Sequence, residues 1–327
     1  MRNRKFILIN LALFAVSLTA ALGAAEMIVR VAMPRDDIAG WFQSHAKYHH
    51  TLKADFHQAF RYRAHGAVMD VQTNAAGFRD AAQTAPPEGA TTVLFLGDSF
   101  VFGYGINVKD RLDTRLRMLA EEAGHAVHTV NWGVPGWGTA LQARYVCDHI
   151  AQARPDVLVL VFCHNDPAND RGVGLPVVPD TDSALYPVKT FLRRHSHLYR
   201  LLLEVPAKAQ AQDGARAEDA APVANGYAIS GDDWERTENG IRTMYSALVE
   251  ANPDARMLIL AATPDRTDAG GHLAAIAGGA RRVHYVDLSP YIAHLPAEAR
   301  VMPWDGHWSP AVHTAAAKAI LDAIAQF

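Results

Sequence analysis

The chain has 327 residues, 50% of them apolar and 20% charged, with 31 Lys and Arg against 34 Asp and Glu. That length and apolar content give a substantial core in one large domain or two small ones, and exclude a disordered or fibrous protein. A formal charge of −3 lacks the basic footprint that neutralises phosphates, so no nucleic-acid partner is expected, and the two cysteines, Cys147 and Cys163, are too few for a disulfide framework or a Cys-rich zinc site and read as two buried thiols, with one bridge in an oxidising compartment as the alternative.

Arg2, Arg4 and Lys5 precede an uncharged run from Phe6 to Ala25, which Glu26 and Arg30 follow. About twenty helical residues span roughly 30 Å, the hydrocarbon thickness of a membrane, and the basic head orients the N-terminus to the cytoplasm. Residues 1–33 are therefore expected to form a single-pass signal anchor in the cytoplasmic membrane, with the remaining chain on its extracytoplasmic (periplasmic) side. The alternative is a cleaved signal peptide and a secreted product. Against it, the apolar run exceeds the roughly 7–15 residues usual there, and Ala21-Leu22-Gly23 is a mediocre cleavage site.

Residues 34–89 are rich in His and aromatics, lack a long periodic segment, and read as a linking or wrapping region. The breaker-rich stretch Ala81 to Ala90, with Pro86, Pro87 and Gly89, places a boundary near residue 90 and a main domain over 90–327. There Thr92–Leu96, Val127–Asn131, Val157–Phe162, Met257–Ala262 and Val283–Leu288 read as strands. Leu112, Leu116 and Leu119 share a helical face before Gly124, Ile241, Met244, Tyr245, Leu248 and Val249 follow helical spacing, and a last helix carries Val312, Ile320 and Ile324. Near-continuous apolar strands separated by helices predict a doubly wound α/β fold, a parallel sheet of about five strands with helices on both faces. Ligands bind such sheets beyond the strands' carboxyl ends. The Ala-rich segment 207–225 cannot bury enough apolar surface to offset its ordering entropy and reads as a flexible insertion; the irregular region Gly172 to His197 precedes it.

The chemistry-bearing residues fall at predicted strand ends. The first strand runs into Gly97-Asp98-Ser99, and a serine hydroxyl becomes a nucleophile only when a neighbouring base takes its proton. Asp305-Gly306-His307 follows the last strand and returns an acid and a base to the same edge, completing a candidate triad of Ser99, His307 and Asp305. Donors for a developing oxyanion are offered by the backbone of Gly133 to Gly138 and by the Asn165 amide.

Gly97-Asp98-Ser99, the Gly136 loop, Asn165-Asp166 and Asp305-Gly306-His307, in that order, resemble the four sequence blocks of the SGNH hydrolase family, also called GDSL esterases. The resemblance covers roughly residues 74–325, including Asn74-Ala75-Ala76-Gly77-Phe78-Arg79-Asp80, which is similar to the segment preceding the nucleophile in envelope-anchored members. It implies a flavodoxin-like sheet, a catalytic domain over 90–327, a Ser99 nucleophile, a His307 general base held by Asp305, and an oxyanion hole from the Ser99 N–H, the Gly136 N–H and the Asn165 side chain. No metal or organic cofactor is implied. Two departures stand out: Cys163-His164 replaces the Gly-Gly pair that many members carry before the Asn, and Trp304 occupies the usual Asp position three before the His. Asp305 must then reach the imidazole through a turn at Gly306, whose backbone freedom permits it.

The resemblance leads to a serine esterase that hydrolyses a small acetyl-like ester, on a carbohydrate in one version, through an acyl-enzyme. An alternative is an O-acyltransferase, in which a glycan hydroxyl of an envelope or exported polysaccharide captures the same acyl group. A second alternative is a catalytically inactive, anchored glycan-binding protein, against which the complete set of blocks argues. The partners expected are a small acyl ester or acylated glycan, and the membrane through the N-terminal helix. Asp98 is read as organising the nucleophile turn, Asp166 as bonding loops and His164 as structural. His49, His50, His195 and His197 have no metal-ligand spacing, and Gly103-Tyr104-Gly105 lacks the third glycine of a dinucleotide fingerprint. Trp132, Trp137, Trp304 and Trp308 default to packing, with sugar stacking as the alternative.

Overall fold

The computed structural model describes residues 2–33, 36–37, 39–63, 65–80, 85–176, 184–203, 229–263 and 269–326; the expected insertion 207–225 lies outside them. In chain order the elements are helix α1 (Arg2–Ala32), strands β1 (Phe42–His45), β2 (His49–Leu52), β3 (His57–Tyr62), β4 (Ala67–Gln72) and β5 (Thr91–Gly97), and the short helix α2 (Ser99–Phe102). There follow α3 (Leu112–Glu122), β6 (Val127–Gly133), α4 (Thr139–Ala153), β7 (Val157–Phe162), α5 (Asp166–Asp170), α6 (Tyr186–His195) and the helical residues 197–203, here α7. The chain continues through α8 (Gly231–Ala251), β8 (Arg256–Ala261), α9 (Ala269–Gly278), β9 (Val283–Tyr285), α10 (Ser289–Ile292), α11 (Ala297–Arg300) and α12 (Pro310–Ile324).

Two compact units result, one from Met1–Ala39, Phe60–Ala67 and Pro179–Ala220, the other from Gly40–Ala59, Val68–Val178 and Ala221–Phe327. In the first, Phe6–Ala32 of α1 is long and apolar enough to cross a membrane. The second carries a five-stranded sheet in the order β6-β5-β7-β8-β9, every neighbouring pair parallel. Strand order reverses at β5, so a crevice opens where β5 and β7 send their following loops apart. Register aligns Gly97 with Gly133 and Val161, bringing the ends of β5, β6 and β7 level.

The sheet is covered on both faces, which is why the core of β5 and all of β7 read as unbroken apolar runs. Val93 and Phe95 of β5 pack with Leu112 and Leu116 of α3 and Val312, Ala316 and Ile320 of α12. The intervening Leu94 and Leu96 point to the opposite face and are fully buried. There α4 packs on α8, whose buried Ile241, Met244 and Leu248 follow the predicted helical spacing. Ser230 starts α8 with a capping box: its hydroxyl accepts from Asp233 N while the Asp233 carboxylate accepts from Ser230 N.

Three local expectations need correction. The last strand stops at Tyr285 instead of Leu288: after Val286 N donates to Ile259 O, Asp287 Oδ1 accepts from Ser289 N at 2.9 Å and turns the chain into α10. Cys163 is buried but Cys147 is exposed, at the flank of the inward-facing side of α4 that carries Val146 and Ile150. The region without long periodicity holds four strands; in β4 the residues Met69 and Val71 are buried while Val68 and Asp70 face out, an alternation too short to stand out as a run.

His313 joins α12 to α3. Its Nδ1 accepts from Leu112 N at 3.2 Å, so the ring is neutral, and burial pulls its pKa from 6.5 down to about 3, against the opposing pull of Asp113. Below pH 6.5 the unfolded chain takes up a proton that the folded state refuses, so this group's stabilisation is complete above pH 6.5 and falls as the pH drops toward 3. From pH 7 to pH 5 wild type is expected to lose about 2 kcal/mol more unfolding free energy than His313→Gln. Denaturant titration at both pH values checks this, and equal losses would contradict it.

Candidate active site

The turn after β5 is built by buried polar groups. Asp98 caps α2, its Oδ1 accepting from Phe100 N at 3.0 Å, and Gly103 closes the helix in a left-handed conformation, φ 74°. Ser99 is thereby the first residue of α2, at the carboxyl edge of the sheet. Burial pushes the Asp98 carboxyl above its usual range, while the Phe100 N–H, the His307 charge and the Asn165 amide favour its ionised form. Arg79, fully buried, holds the chain beyond α2 by donating to the carbonyls of Phe102 (3.1 Å), Gly103 (2.7 Å), Asp70 (2.5 Å) and Ile106 (2.8 Å). Arg111, equally buried, donates to Arg79 O and forms a two-pronged pair with Asp113 at 2.5 and 2.7 Å. The segment leading to Arg79 is itself folded by Asn74, whose Oδ1 accepts from Ala76 N and Phe78 N at 3.0 Å each.

His307 reaches this turn from the other end of the unit. Its Nε2 lies 2.8 Å from Ser99 Oγ, in position to take the hydroxyl proton. Phe100 and Tyr104 flank the imidazole with ring centroids 5.0 and 5.2 Å away. Trp308 ties the following residue to the sheet by donating from Nε1 to Ala262 O at 2.7 Å. Asp305 Oδ1 accepts from His307 N at 3.0 Å and lies 3.4 Å from His307 Nδ1, and the turn between them is made by Gly306 at φ 75°. Gly105 permits this approach, because a Cβ there would come within 2.6 Å of Asp305 Oδ2.

The three sequence-predicted donors sit at the ends of β5, β6 and β7. Among the described residues, the N–H groups of Ser99 and Gly136 donate to no protein acceptor. Asn165 Nδ2 donates to Asp98 Oδ2 at 3.3 Å and Asn169 Oδ1 at 2.8 Å, so serving an oxyanion means sharing the hydrogen that now faces Asp98. The Gly136 loop is clamped by His50, which lies 85 positions before the Pro135 carbonyl it meets and which sequence spacing does not reveal. His50 Nε2 lies 2.9 Å from Pro135 O; a carbonyl only accepts, so Nε2 carries the hydrogen. Burial pulls the His50 pKa down to about 4, keeping the ring neutral, and its Nδ1 faces His49 Nδ1 at 2.9 Å as an acceptor. The His50 carbonyl in turn accepts from Trp137 Nε1 at 2.9 Å. In a planar trans peptide the carbonyl and the next N–H point opposite ways, so holding Pro135 O aims the Gly136 N–H. His49 adopts φ 60°, a left-handed conformation costly for a residue with a Cβ, as it delivers His50 to this position.

The remaining residues have structural partners. His164 Nδ1 bonds Thr263 Oγ1 at 3.0 Å, and Thr139 Oγ1 donates to Asp166 Oδ2 at 3.1 Å. Burial, with Asp98 and Asp170 nearby, raises the Asp166 carboxyl well above its ordinary range. Trp132, Trp137 and Trp308 are buried and pack; Trp304 is only half-buried. His195 and His197 belong to the first unit. Among the described residues, no group of three or more His, Cys, Asp or Glu is placed to hold a metal ion.

Residues 95–317 match the family model of the GDSL-like lipase/acylhydrolase family. No curated protein matches the sequence. Among solved structures, the protein named TesA aligns at 12% identity over 72% of this chain and 98% of its own, with a TM-score of 0.45. The psychrotrophic esterase EstA from Pseudoalteromonas sp. aligns at 11% identity over 72% and 97%, with a TM-score of 0.45. The Clostridium thermocellum family 3 carbohydrate esterase aligns at 16% identity over 72% and 99%, with a TM-score of 0.42.

The close approach at Gly105 yields a structural prediction. Gly105→Ala is expected to push the Asp305 carboxylate away from His307 while leaving His307 on Ser99, as a crystal structure of the variant would reveal; an unmoved Asp305 would contradict this reading of the contact.

Proposed function

This chain belongs to the GDSL-like lipase/acylhydrolase family of ester-hydrolysing enzymes, and from that premise we propose that it is a serine esterase acting on small, acetyl-like acyl esters through Ser99, His307 and Asp305. The observation that carries this reading is the 2.8 Å contact between Ser99 Oγ and His307 Nε2. Ser99 Oγ attacks the ester carbonyl as His307 Nε2 takes its proton, and Asp305 beside Nδ1 stabilises the imidazolium. The tetrahedral oxyanion is received by the N–H groups of Ser99 and Gly136 and by Asn165 Nδ2. Collapse expels the alcohol, which leaves with the proton from His307. Water, deprotonated by the same nitrogen, then releases the acid and restores Ser99. In this scheme His50 is a positioning residue, acting on the reaction only through the Gly136 N–H.

In this reading α1 is a membrane anchor, residues 34–89 link and wrap, and the catalytic domain over 90–327 works on the extracytoplasmic side. The absence of Asp, Glu, Lys and Arg from Phe6 to Ala25 and the basic residues before it support that placement.

The test is hydrolysis of a short-chain aryl acetate by the full chain, with and without oligosaccharide acceptors. Ser99→Ala, folded like wild type, is expected to lower kcat/KM by about 10³-fold or more. No Ser99-dependent turnover across several acyl donors would overturn the proposal, and diversion of the acyl group to the acceptor would replace hydrolysis by transfer.

His50 gives a separate expectation. His50→Leu should lower kcat about 10- to 100-fold with KM little changed, because the loss falls on the transition state. His50→Gln, which retains a donor, should recover much of it. A loss equal in both variants, or confined to thermal stability, would contradict the positioning role.

A further inference from the structure

The first unit carries an apolar surface that the esterase chemistry does not use. Helix α6 buries none of its residues, and Leu185, Val188 and Phe191 are 59%, 55% and 61% exposed. At 3.6 residues per turn, Val188, Phe191 and Leu192 fall on one side of α6, with Leu185 at its start and His195, whose ring lies 4.6 Å from that of Phe191, at its end, while Lys189 and Arg193 flank this side and Arg194 lies beyond its other edge. In α7, Leu202 and Leu203 are exposed as well. An apolar stripe between cations is the pattern of a helix lying in a membrane interface.

The junction of these helices is fastened to α1 at a defined height. Glu26, the first charge after the apolar run, accepts from His197 N and Leu198 N at 2.9 Å each and from Ser196 Oγ at 2.8 Å, capping α7. One turn further along α1, Arg30 Nη2 donates to His195 O at 2.8 Å, closing the end of α6. Residues 6–25 cross about 30 Å of hydrocarbon, so Glu26 emerges where acyl chains give way to headgroups. The α6–α7 junction is held at that depth. A cavity of about 310 Å³ opens beside it, lined by Arg30, Arg63, Arg194, His195 and His197, a basic setting suited to a phosphate.

We propose that α6 and α7 form a second membrane contact, lying in the outer headgroup layer of the bilayer that α1 crosses. Val188, Phe191 and Leu202 enter the acyl boundary, and Lys189, Arg193 and Arg194 face the phosphates of anionic phospholipids. This surface rests on the reading of α1 as a membrane anchor. It holds the α6–α7 segment on the lipid surface, beyond what a single spanning helix achieves.

The test uses the full chain, with Cys147→Ser, in vesicles of phosphatidylcholine and phosphatidylglycerol. A nitroxide is placed singly at Phe191→Cys, at Leu13→Cys within the anchor, and at Arg117→Cys on the exposed surface of the catalytic unit, and collision with oxygen is compared with collision with a water-soluble nickel chelate. The label at 191 is expected to show an oxygen-to-nickel ratio several-fold above that at 117 and below that at 13. Water access at 191 equal to that at 117, with 13 in lipid, would overturn the proposal and leave the anchor standing. Shielding of 191 from both reagents would overturn it in favour of a protein partner, either a second copy or another part of the chain. Water access at all three positions would remove the anchor and this surface together.

Discussion

A single contact between residues 208 positions apart, Ser99 Oγ to His307 Nε2 at 2.8 Å, sets the requirements the fold must meet. Flexible loops would hold such a pair only at large entropic cost, whereas a parallel sheet delivers successive strand ends to one edge. Placing β5 at the reversal of strand order puts the Ser99 turn beside the loop after β7, with the Gly136 loop on its other side. Trp308, bonded to the end of β8, then fixes the height at which His307 arrives.

The loops at that edge take their shape from buried polar groups as well as from buried apolar side chains such as Phe102 and Trp137. Asp98, Arg79 and Arg111 are fully buried, which is affordable only because nearly every lone pair and N–H they bring meets a partner in the chain. Arg79 alone binds four carbonyls, those of residues 70, 102, 103 and 106, so the segment before the sheet helps to set the loop that carries Tyr104 and Gly105. His50 does for the Gly136 loop what Arg79 does for this one. The region read from sequence as a wrapping segment therefore supplies supports for two of the loops around Ser99.

What could be read in the sequence follows from the range of the interactions. Val157–Phe162, and Val93–Leu96 within β5, announce themselves because a strand covered on both faces is apolar at successive positions, a local property. The approach of His307 to Ser99 follows from a topology that the sequence lets one infer, since Ser99 follows a strand and His307 precedes a helix. His50 was not legible: its role comes from a fold-dependent meeting with Pro135, and a His-His pair in a segment without periodicity carries no sign of it. Gly105 appeared only as part of an incomplete dinucleotide fingerprint, because its neighbour Asp305 is 200 positions away. The strands β1 to β4 escaped because four to six residues with mixed burial give too short a pattern.

The central claim is that Ser99 is activated by His307 to form a covalent acyl intermediate. Its most direct test is peptide mass spectrometry of the folded protein after exposure to an alkyl fluorophosphonate, which reacts with an activated serine and stays attached. The account predicts a single adduct on the peptide containing Ser99, formed rapidly by wild type and very slowly by His307→Ala. An adduct on another residue, or labelling at Ser99 that proceeds equally fast without His307, would contradict it.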